Sequence, residues 1–293
     1  MAFSVLQKTI KREISFSGIG LFSGQKSTVK LIPAEKDTGI LFKINDTLMT
    51  AEVKNVKSTN RCTVLGDDKN QCQIGTVEHL LSALYALGIS NLIVEVEGLE
   101  IPILDGSAGE LVKLIEIAGI KEQTALREVL KIEEPVYFDN HTTQMIALPY
   151  EGLKISCLFC YPADLEKPAQ QFFSLIVEKD SFIKEIAEAR TFSFYEEIKP
   201  FLDQGYIKGG SLENAILIKE NKVLNPEGLR FEDEFVRHKI LDLIGDLSLI
   251  RRAVSGHIIA LQSGHTTNVA FVQKLLQKEK EKHGTFAFNS ERN

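Results

Sequence analysis

The sequence has little of three features that mark specialised proteins: cysteine, net basic charge and long apolar runs. Its 293 residues include only four cysteines, which are too few for a disulfide scaffold in a chain of this length. Acidic residues outnumber basic ones by 40 to 34, so there is no excess of lysine and arginine to neutralise a phosphate backbone. We therefore expect no nucleic-acid partner.

Long apolar segments are scarce as well. The uncharged stretch at residues 80–94 is interrupted by Gly88 and Asn91 and is shorter than the roughly 20 apolar residues that span a bilayer. Near the N-terminus, Lys8 and Lys11 stand where a signal peptide needs an unbroken apolar core. The sequence thus predicts no membrane span and a cytoplasmic protein.

Two of the four cysteines, Cys157 and Cys160, form a C-x-x-C pattern of the kind found in zinc and redox sites. They lie in the alternating run KISCLFCY, which is typical of a β-strand. Strand residues three apart point to opposite faces. The pattern therefore favours a structural role for both cysteines over a chelating one.

What is present is the composition of a folded protein, with 44% apolar and 25% charged residues. Its length suits one large domain or two. The first sixty residues form short alternating runs broken by glycine and proline, which indicates strands joined by turns. Two helices are predicted next, one with Thr76 as its N-cap and Gly88 at its end, and one that closes at Gly119.

The second half of the sequence repeats this pattern of strands followed by helices. It shows three strands, a helix from about Asp233 to Leu249, a strand and a last helix. Aligning the two long helices on their histidines allows, without requiring, a tandem duplication of one α+β unit. The polar run that starts at Lys121 is predicted as a linker. The apolar segment at about 202–216, which Gly205, Gly209 and Gly210 interrupt, is predicted as a helix between short strands. The acidic run at 232–234 is interpreted as a helical first turn, where carboxylates suit the helix dipole.

The strongest candidates for chemistry lie on the two long helices. His238 and Asp242 are four residues apart, so their side chains project from the same face and could bind a metal. A catalytic zinc takes three protein ligands plus a water. By itself, an H-x-x-x-D pair is more commonly a surface histidine that interacts with a carboxylate, so a third ligand is needed. His79, in the first turn of the other long helix, is the candidate third ligand.

The neighbours of these residues suggest further roles. Successive helical residues diverge by about 100°, so Glu78 would point beside a metal held by His79, where a general base is needed. The positive end of the helix dipole at the N-terminus favours the ionised form of the Glu78 carboxyl group. The alternative is that Glu78 has no catalytic role and only stabilises the helix through this interaction. His265 lies in a polar loop after a strand. Asp246, one turn beyond Asp242, could orient an imidazole.

Five segments, in order, carry a resemblance to a known family: TVEHLLSAL, EIPILDGSA, ARTFSF, GLRFEDEFVRHKILDLIGDL and SGHTTN. The chain closely resembles the UDP-3-O-acyl-N-acetylglucosamine deacetylase family, LpxC, which catalyses the committed deacetylation of lipid A synthesis in Gram-negative bacteria. The resemblance runs from SGIGLFSG near the start to SGHTTN near the end. One departure is Phe22, which stands where the family commonly has histidine.

The resemblance implies an α+β fold of two similar α/β sandwich domains, residues 1–126 and 127–293, with the active site between them. It implies one catalytic Zn²⁺ per chain, with Fe²⁺ as an alternative. The ligands that it implies are His79, His238 and Asp242.

It also implies the remaining roles. The catalytic residues are Glu78 as general base, His265 as cationic partner or general acid, Asp246 as its support and Thr191 as the hydroxyl at the oxyanion. The substrate-binding residues are Lys239 near the diphosphate and, for the 3-O-acyl chain, Leu21, Phe192, Phe194, Gly210 and Ser211, most of them in the insert at about 192–222.

We therefore predict a zinc-dependent amide hydrolase, a monomer, whose substrate is an acylated UDP-sugar. Either His265 or Glu78 could protonate the leaving amine. One alternative is another zinc amidohydrolase such as a peptidase, although HEXXH is absent from the sequence. The other alternative is a binding module with structural zinc, but such sites normally have four protein ligands, usually rich in cysteine.

Overall fold

The computed structural model describes residues 6–160, 170–220 and 222–290, with side chains as far as residue 282. Its helices are α1 (Glu78–Ala86), α2 (Gly109–Ala118), α3 (Lys179–Glu185), α4 (Tyr195–Asp203), α5 (Glu234–Leu247) and α6 (His265–Ser290). Its strands are β1 (Leu6–Ile10), β2 (Ile14–Ile19), β3 (Lys26–Pro33), β4 (Ile40–Ile44), β5 (Thr47–Thr50), β6 (Val56–Ser58), β7 (Val64–Asp67), β8 (Cys72–Ile74), β9 (Leu92–Glu97), β10 (Ile120–Leu126), β11 (Val129–Lys131), β12 (Val136–Asp139), β13 (Gln144–Leu148), β14 (Leu153–Cys160), β15 (Gln170–Ile176), β16 (Phe192–Phe194), β17 (Ile216–Lys219), β18 (Lys222–Val223) and β19 (Ala253–Leu261). The predicted α+β class is confirmed.

Two large sheets have the same strand order and the same strand directions. The first runs β2-β3-β9-β4-β5 and the second β12-β13-β19-β14-β15. Along each of these orders one central pair is parallel, β4 with β9 and β14 with β19, and the other neighbours are antiparallel. The second sheet has a further strand outside this order, β11, which pairs parallel with β19. In each, a long helix, α1 or α5, comes before the last central strand. This likeness supports a duplication, which stays a prediction together with the boundary at residue 126.

Helices α1 and α5 pack against each other at the centre of the protein. All residues of α1 and most of α5 are buried, as expected for helices with apolar contacts on every side. Gly245 on α5 marks their close approach, because a Cβ there would lie 2.2 Å from the Glu78 carbonyl oxygen. The packing therefore brings Glu78 and His79 on α1 beside the polar residues of α5.

Two local predictions were wrong. Thr76 is not the N-cap of α1: the helix begins at Glu78, and the Thr76 hydroxyl donates a hydrogen bond to the buried Glu100 carboxylate at 3.1 Å. The predicted linker is strand β10, which pairs antiparallel with β1. Its polar side chains face solvent because a two-stranded sheet leaves one face uncovered, and that is why the segment looks like a linker.

Other local predictions are confirmed. Gly88 and Gly119 follow the ends of α1 and α2 with positive φ angles of 76° and 74°, the left-handed conformation that glycine favours. The helix predicted at 233–249 is α5. A helix also lies between short strands near the second predicted helix, but it is α4, which ends at Asp203. The glycine-containing stretch at 204–215 forms turns that lead to β17.

The C-x-x-C pair lies in β14, where the Cys157 side chain is buried and that of Cys160 is partly exposed. The thiols point to different faces of one strand, as predicted. Within the described ranges, no helix combines the length and the low charge that crossing a membrane requires.

Candidate active site

Three side chains from the two central helices form a group of potential metal ligands. His79 on α1 and His238 and Asp242 on α5 place their ligand atoms within 4.8 Å of one another, and all three are buried. The two imidazole Nε2 atoms lie 3.9 and 3.3 Å from Asp242 Oδ1. Ligand atoms about 2.0–2.1 Å from a tetrahedral zinc are about 3.3 Å apart. The three side chains thus need only small shifts to enclose one ion.

The protonation states of the group suit a cation. Burial lowers the pKa of His79 to about 3 and also lowers the pKa of His238, so both imidazoles are neutral at pH 7. Burial alone would raise the pKa of Asp242, but the cationic groups around it, which include Lys239, keep it below the usual value. Asp242 Oδ1 is buried and accepts no hydrogen bond from any described residue. Two neutral imidazoles and an orphaned carboxylate oxygen are the donor set that a zinc ion would satisfy.

The orientation of His238 is set by the backbone. Its Nδ1 lies 3.0 Å from the Ala189 carbonyl oxygen, so Nδ1 donates and Nε2 keeps its lone pair directed at the ligand group. Ala189 is the first residue of the ARTFSF segment. This carbonyl has no signal in the sequence, because any residue type supplies one.

Glu78 lies beside the ligand group with 2% of its surface exposed. Burial, together with the negative charges of Asp242 and Asp246, raises its pKa to about 7. The helix dipole favours the ionised form of Glu78, but the effect of burial on its pKa is larger. A carboxyl group that titrates near neutral pH is suited to accept and return a proton.

His265 is the first residue of α6, directly after the loop in which the sequence placed it. Its Nδ1 lies 2.9 Å from Asp246 Oδ2, and its Nε2 lies 3.7 Å from Glu78 Oε1. Although burial opposes the charge, Asp246, Asp242 and Glu78 raise the pKa of His265 to about 10. Asp246 is fully buried behind His265.

Thr63, just before β7, is a site residue that sequence analysis missed. Its backbone N–H donates to Glu78 Oε2 at 3.0 Å, and its hydroxyl donates to Asp246 Oδ1 at 2.6 Å. Asn268 on α6 is a second such residue, because its amide donates to Asp246 Oδ2 at 2.9 Å. Neither has a diagnostic spacing, since both act through contacts that are distant in sequence.

Thr191 is held by backbone hydrogen bonds on both sides. Its N–H donates to the Gly106 carbonyl at 2.8 Å, and its carbonyl accepts from the Ile216 N–H at 2.8 Å. Gly106 has φ 84°, and a Cβ there would lie 2.1 Å from the Asn214 carbonyl oxygen, so only glycine fits. The turn of the EIPILDGSA segment thereby fixes the backbone of Thr191, directly before β16.

One cavity of about 880 Å³ is bordered by the three potential metal ligands together with Glu78, Thr191 and His265. Asp246, Thr63 and Asn268 lie behind its lining. One end holds Glu78, the ligand group and His265. Polar residues at 58–61 and 262–267 line part of the remainder, and the wall formed by the insert and by the loop after β2 is mainly apolar. The predicted acyl-chain residues lie there: the cavity is lined by Leu21, Phe192, Phe194, Gly210 and Ser211, together with Ile198, Leu202, Ile207, Leu212 and Ile216.

Phe192 joins the two regions of the cavity. Its ring centroid is 4.7 Å from that of Phe235, 5.3 Å from that of Phe159 and 6.3 Å from that of His238. Lys239 Nζ lies 5.3 Å from the Phe192 centroid and 3.0 Å from Asp242 Oδ2. The ammonium group of Lys239 therefore borders the cavity but is directed at the carboxylate.

The open end of the cavity is formed by two loops that hydrogen-bond to each other. The N–H of Gly209 donates to the Leu21 carbonyl at 3.0 Å, and that of Lys208 to the Phe22 carbonyl at 3.2 Å. Buried Glu100 anchors the first loop by accepting from the Phe22 N–H at 3.1 Å. Phe22 itself lines the cavity. It therefore places an apolar ring at the position where the family commonly has histidine.

A buried ion pair supports the segment that precedes Thr191. Arg190 is 1% exposed and donates from Nε to Glu234 Oε1 at 2.9 Å and from Nη2 to the Gly228 carbonyl at 2.7 Å. Glu234 is fully buried and also accepts from the backbone N–H of Arg230 at 2.6 Å. The acidic run at 232–234 thus does more than complement a helix dipole.

We expect Glu234→Ala to lower the free energy of unfolding by about 3 kcal/mol, because the buried Arg190 charge loses its buried partner and keeps the half-exposed Glu227 carboxylate. Urea denaturation measures the change. Glu232→Ala, at an exposed position two residues earlier, is the matched control and should stay within about 0.5 kcal/mol of the parent. Equal losses in both variants would contradict the prediction.

Comparison with known proteins adds an independent result. The family model described as UDP-3-O-acyl N-acetylglycosamine deacetylase, LpxC, matches residues 7–277. A UDP-3-O-acyl-N-acetylglucosamine deacetylase of Thermodesulfovibrio yellowstonii is 44% identical over 273 residues, which cover 92% of each chain. A protein of the same name from Chlamydia pneumoniae is 42% identical, and the match covers 92% of this chain and 97% of that protein. Another from Saccharophagus degradans is 41% identical, and the match covers 94% of this chain and 91% of that protein.

Proposed function

The chain belongs to the LpxC family of UDP-3-O-acyl N-acetylglycosamine deacetylases, and from that membership we propose that it hydrolyses the N-acetyl group of a UDP-3-O-acyl-N-acetylglucosamine in lipid A synthesis. One observation carries the proposal: a buried His, His and Asp group beside Glu78 shares a cavity with a mainly apolar region. The part of the cavity around the ligand group suits amide hydrolysis, and the apolar part suits an acyl chain. A cytoplasmic location and a monomeric state remain predictions.

We propose Zn²⁺ as the metal of this site, held by His79, His238 and Asp242. When bound, it would act as a Lewis acid on the acetyl carbonyl and would acidify the attacking water. Three protein ligands leave room for the substrate, whereas a structural site is normally closed by four.

The protein's own groups would supply the proton transfers. Glu78, next to the ligand group, takes a proton from the water as general base. The Thr191 hydroxyl lines the same cavity and donates to the oxyanion of the tetrahedral intermediate. These roles need no side chain to leave the cavity wall.

Protonation of the leaving amine has two candidates. His265 is held by Asp246 through Nδ1, so its Nε2 proton points towards Glu78 and the cavity. Glu78 could instead return the proton that it took. His265 Nε2 and Glu78 Oε1 are only 3.7 Å apart, so either group can reach the nitrogen of the leaving amine.

Substrate orientation follows from the two ends of the cavity. The 3-O-acyl chain would lie along the apolar wall of the insert, with Leu21 and Gly210 at the open end. Lys239 would bind the diphosphate by turning from Asp242, from which its Nζ is 3.0 Å away. Metal binding by Asp242 would weaken that ion pair and release the lysine.

The test combines turnover with metal analysis. Purified protein is incubated with UDP-3-O-acyl-N-acetylglucosamine, released acetate is measured, and bound metal is counted by mass spectrometry. We expect one zinc per chain and loss of activity with a chelator. His79→Ala should lose most of the metal, whereas His141→Ala, at an exposed histidine outside the site, should keep it. Cleavage of simple peptides without deacetylation of the UDP-sugar would contradict the proposal.

A further inference from the structure

We propose that Thr63 is a positioning residue that holds Glu78 and the Asp246–His265 pair in one fixed arrangement. The inference rests on the proposed deacetylase function and adds to it a residue that is neither a metal ligand nor a proton carrier. Thr63 is fully buried and precedes strand β7, whereas the groups that it contacts lie on α1, α5 and α6.

The backbone of Thr63 is attached to the start of α1. Its N–H donates to Glu78 Oε2 at 3.0 Å, and its carbonyl accepts from the Val77 N–H at 3.4 Å. One residue therefore contacts both the backbone entering the helix and the carboxylate of its first residue. These bonds leave Glu78 Oε1 directed at His265.

The side chain of Thr63 reaches the other helix. Its hydroxyl donates to Asp246 Oδ1 at 2.6 Å, while His265 Nδ1 and Asn268 Nδ2 each lie 2.9 Å from Asp246 Oδ2. Among the residues that the structure describes, Thr63 is the one hydrogen-bond donor to Oδ1. The hydroxyl thus fixes the rotation of the carboxylate, and the carboxylate fixes the imidazole.

Valine at this position would isolate the contribution of the hydroxyl. It has nearly the shape of threonine and keeps the backbone bonds, but it leaves Asp246 Oδ1 without its donor. Serine keeps the hydroxyl and loses only a methyl group. A difference between these two variants therefore reports on the hydrogen bond rather than on packing.

We expect Thr63→Val to lower kcat by about 10–100-fold with little change in KM, because hydrogen bonds to charged groups are among the stronger ones. Thr63→Ser should stay within about threefold of the parent by the same reasoning. Bound metal and melting temperature are measured in parallel. Activity in Thr63→Val equal to that of the parent would overturn the proposal, as would equal losses in both variants.

A double-mutant cycle separates positioning from general stability. If Thr63 acts through the Asp246–His265 pair, Thr63→Val should cost little further activity in a His265→Ala background. A purely structural role predicts instead that the two losses add and that the melting temperature falls. Full additivity would therefore reject the inference.

A spectroscopic measurement keeps the inference testable without turnover. The proton of His265 Nδ1, hydrogen-bonded to Asp246, should give a downfield proton resonance. Thr63→Val should shift or broaden it, and Thr63→Ser should leave it in place. An unshifted resonance in Thr63→Val refutes the positioning role, whereas a parent enzyme that fails to release acetate refutes the proposed function alone.

Discussion

Replacing Glu78 by glutamine is expected to lower kcat by about 10²–10⁴, the usual contribution of a general base, while the metal stays bound. Glutamine keeps the size of the side chain and an oxygen that can accept the Thr63 N–H, but it cannot take a proton from water. The ligand group does not include Glu78. The measurements are steady-state kinetics on the acylated UDP-sugar and metal content of the purified variant.

The matched control is Glu110→Gln, which changes an exposed glutamate in the first turn of α2. It should keep both activity and metal. Metal loss in Glu78→Gln as large as that in His79→Ala would show that Glu78 is a ligand rather than a base. A kcat within about threefold of the parent would remove it from the chemistry altogether.

Shortening the 3-O-acyl chain of the substrate by about six methylenes is expected to lower kcat/KM by about 10³-fold. Burying a methylene contributes about 0.8 kcal/mol, which corresponds to roughly fourfold in binding for each one removed. Several apolar side chains of the cavity wall, among them Phe192 and Ile207, are available to contact these methylenes. The measurement is a series of kcat/KM values over acyl length, and a flat series would place the acyl chain outside this cavity.

A substitution at the open end tests the same wall from the protein side. A Cβ on Gly210 would lie 2.9 Å from Ile207 Cγ2 and 3.7 Å from Leu21 Cδ1, so a large residue there narrows the opening. Gly210→Phe should therefore slow long-chain substrates more than short-chain ones. Glu213→Phe, at an exposed position that does not line the cavity, is the control and should affect both equally.

Much of this site was accessible from local sequence patterns. The helical spacing of the apolar residues predicted α1 and α5, and the i, i+4 spacing predicted that His238 and Asp242 share a face. Both follow from the period of the helix, which depends only on neighbours in the chain. His79 was a candidate third ligand from its position in the first turn of the other long helix, and the family resemblance assigned it that role.

Other features had no local signal. Strand β10 looks like a linker because its pairing with β1 is decided by residues more than a hundred positions away. Glu234 looks like a helix-dipole carboxylate, yet it is the buried partner of Arg190. In both cases the partner, a strand for β10 and a side chain for Glu234, lies far away in the sequence.

The sequence by itself determined the secondary structure around the site, the α+β class and, through the resemblance, the family. The tertiary structure alone decided the environment of each group: that burial raises the pKa of Glu78 to about 7, that the Ala189 carbonyl orients His238, and that Thr63 bridges two helices. The reason is physical. Periodicity is a property of adjacent residues, whereas desolvation and hydrogen bonding depend on which distant segments fold against one another.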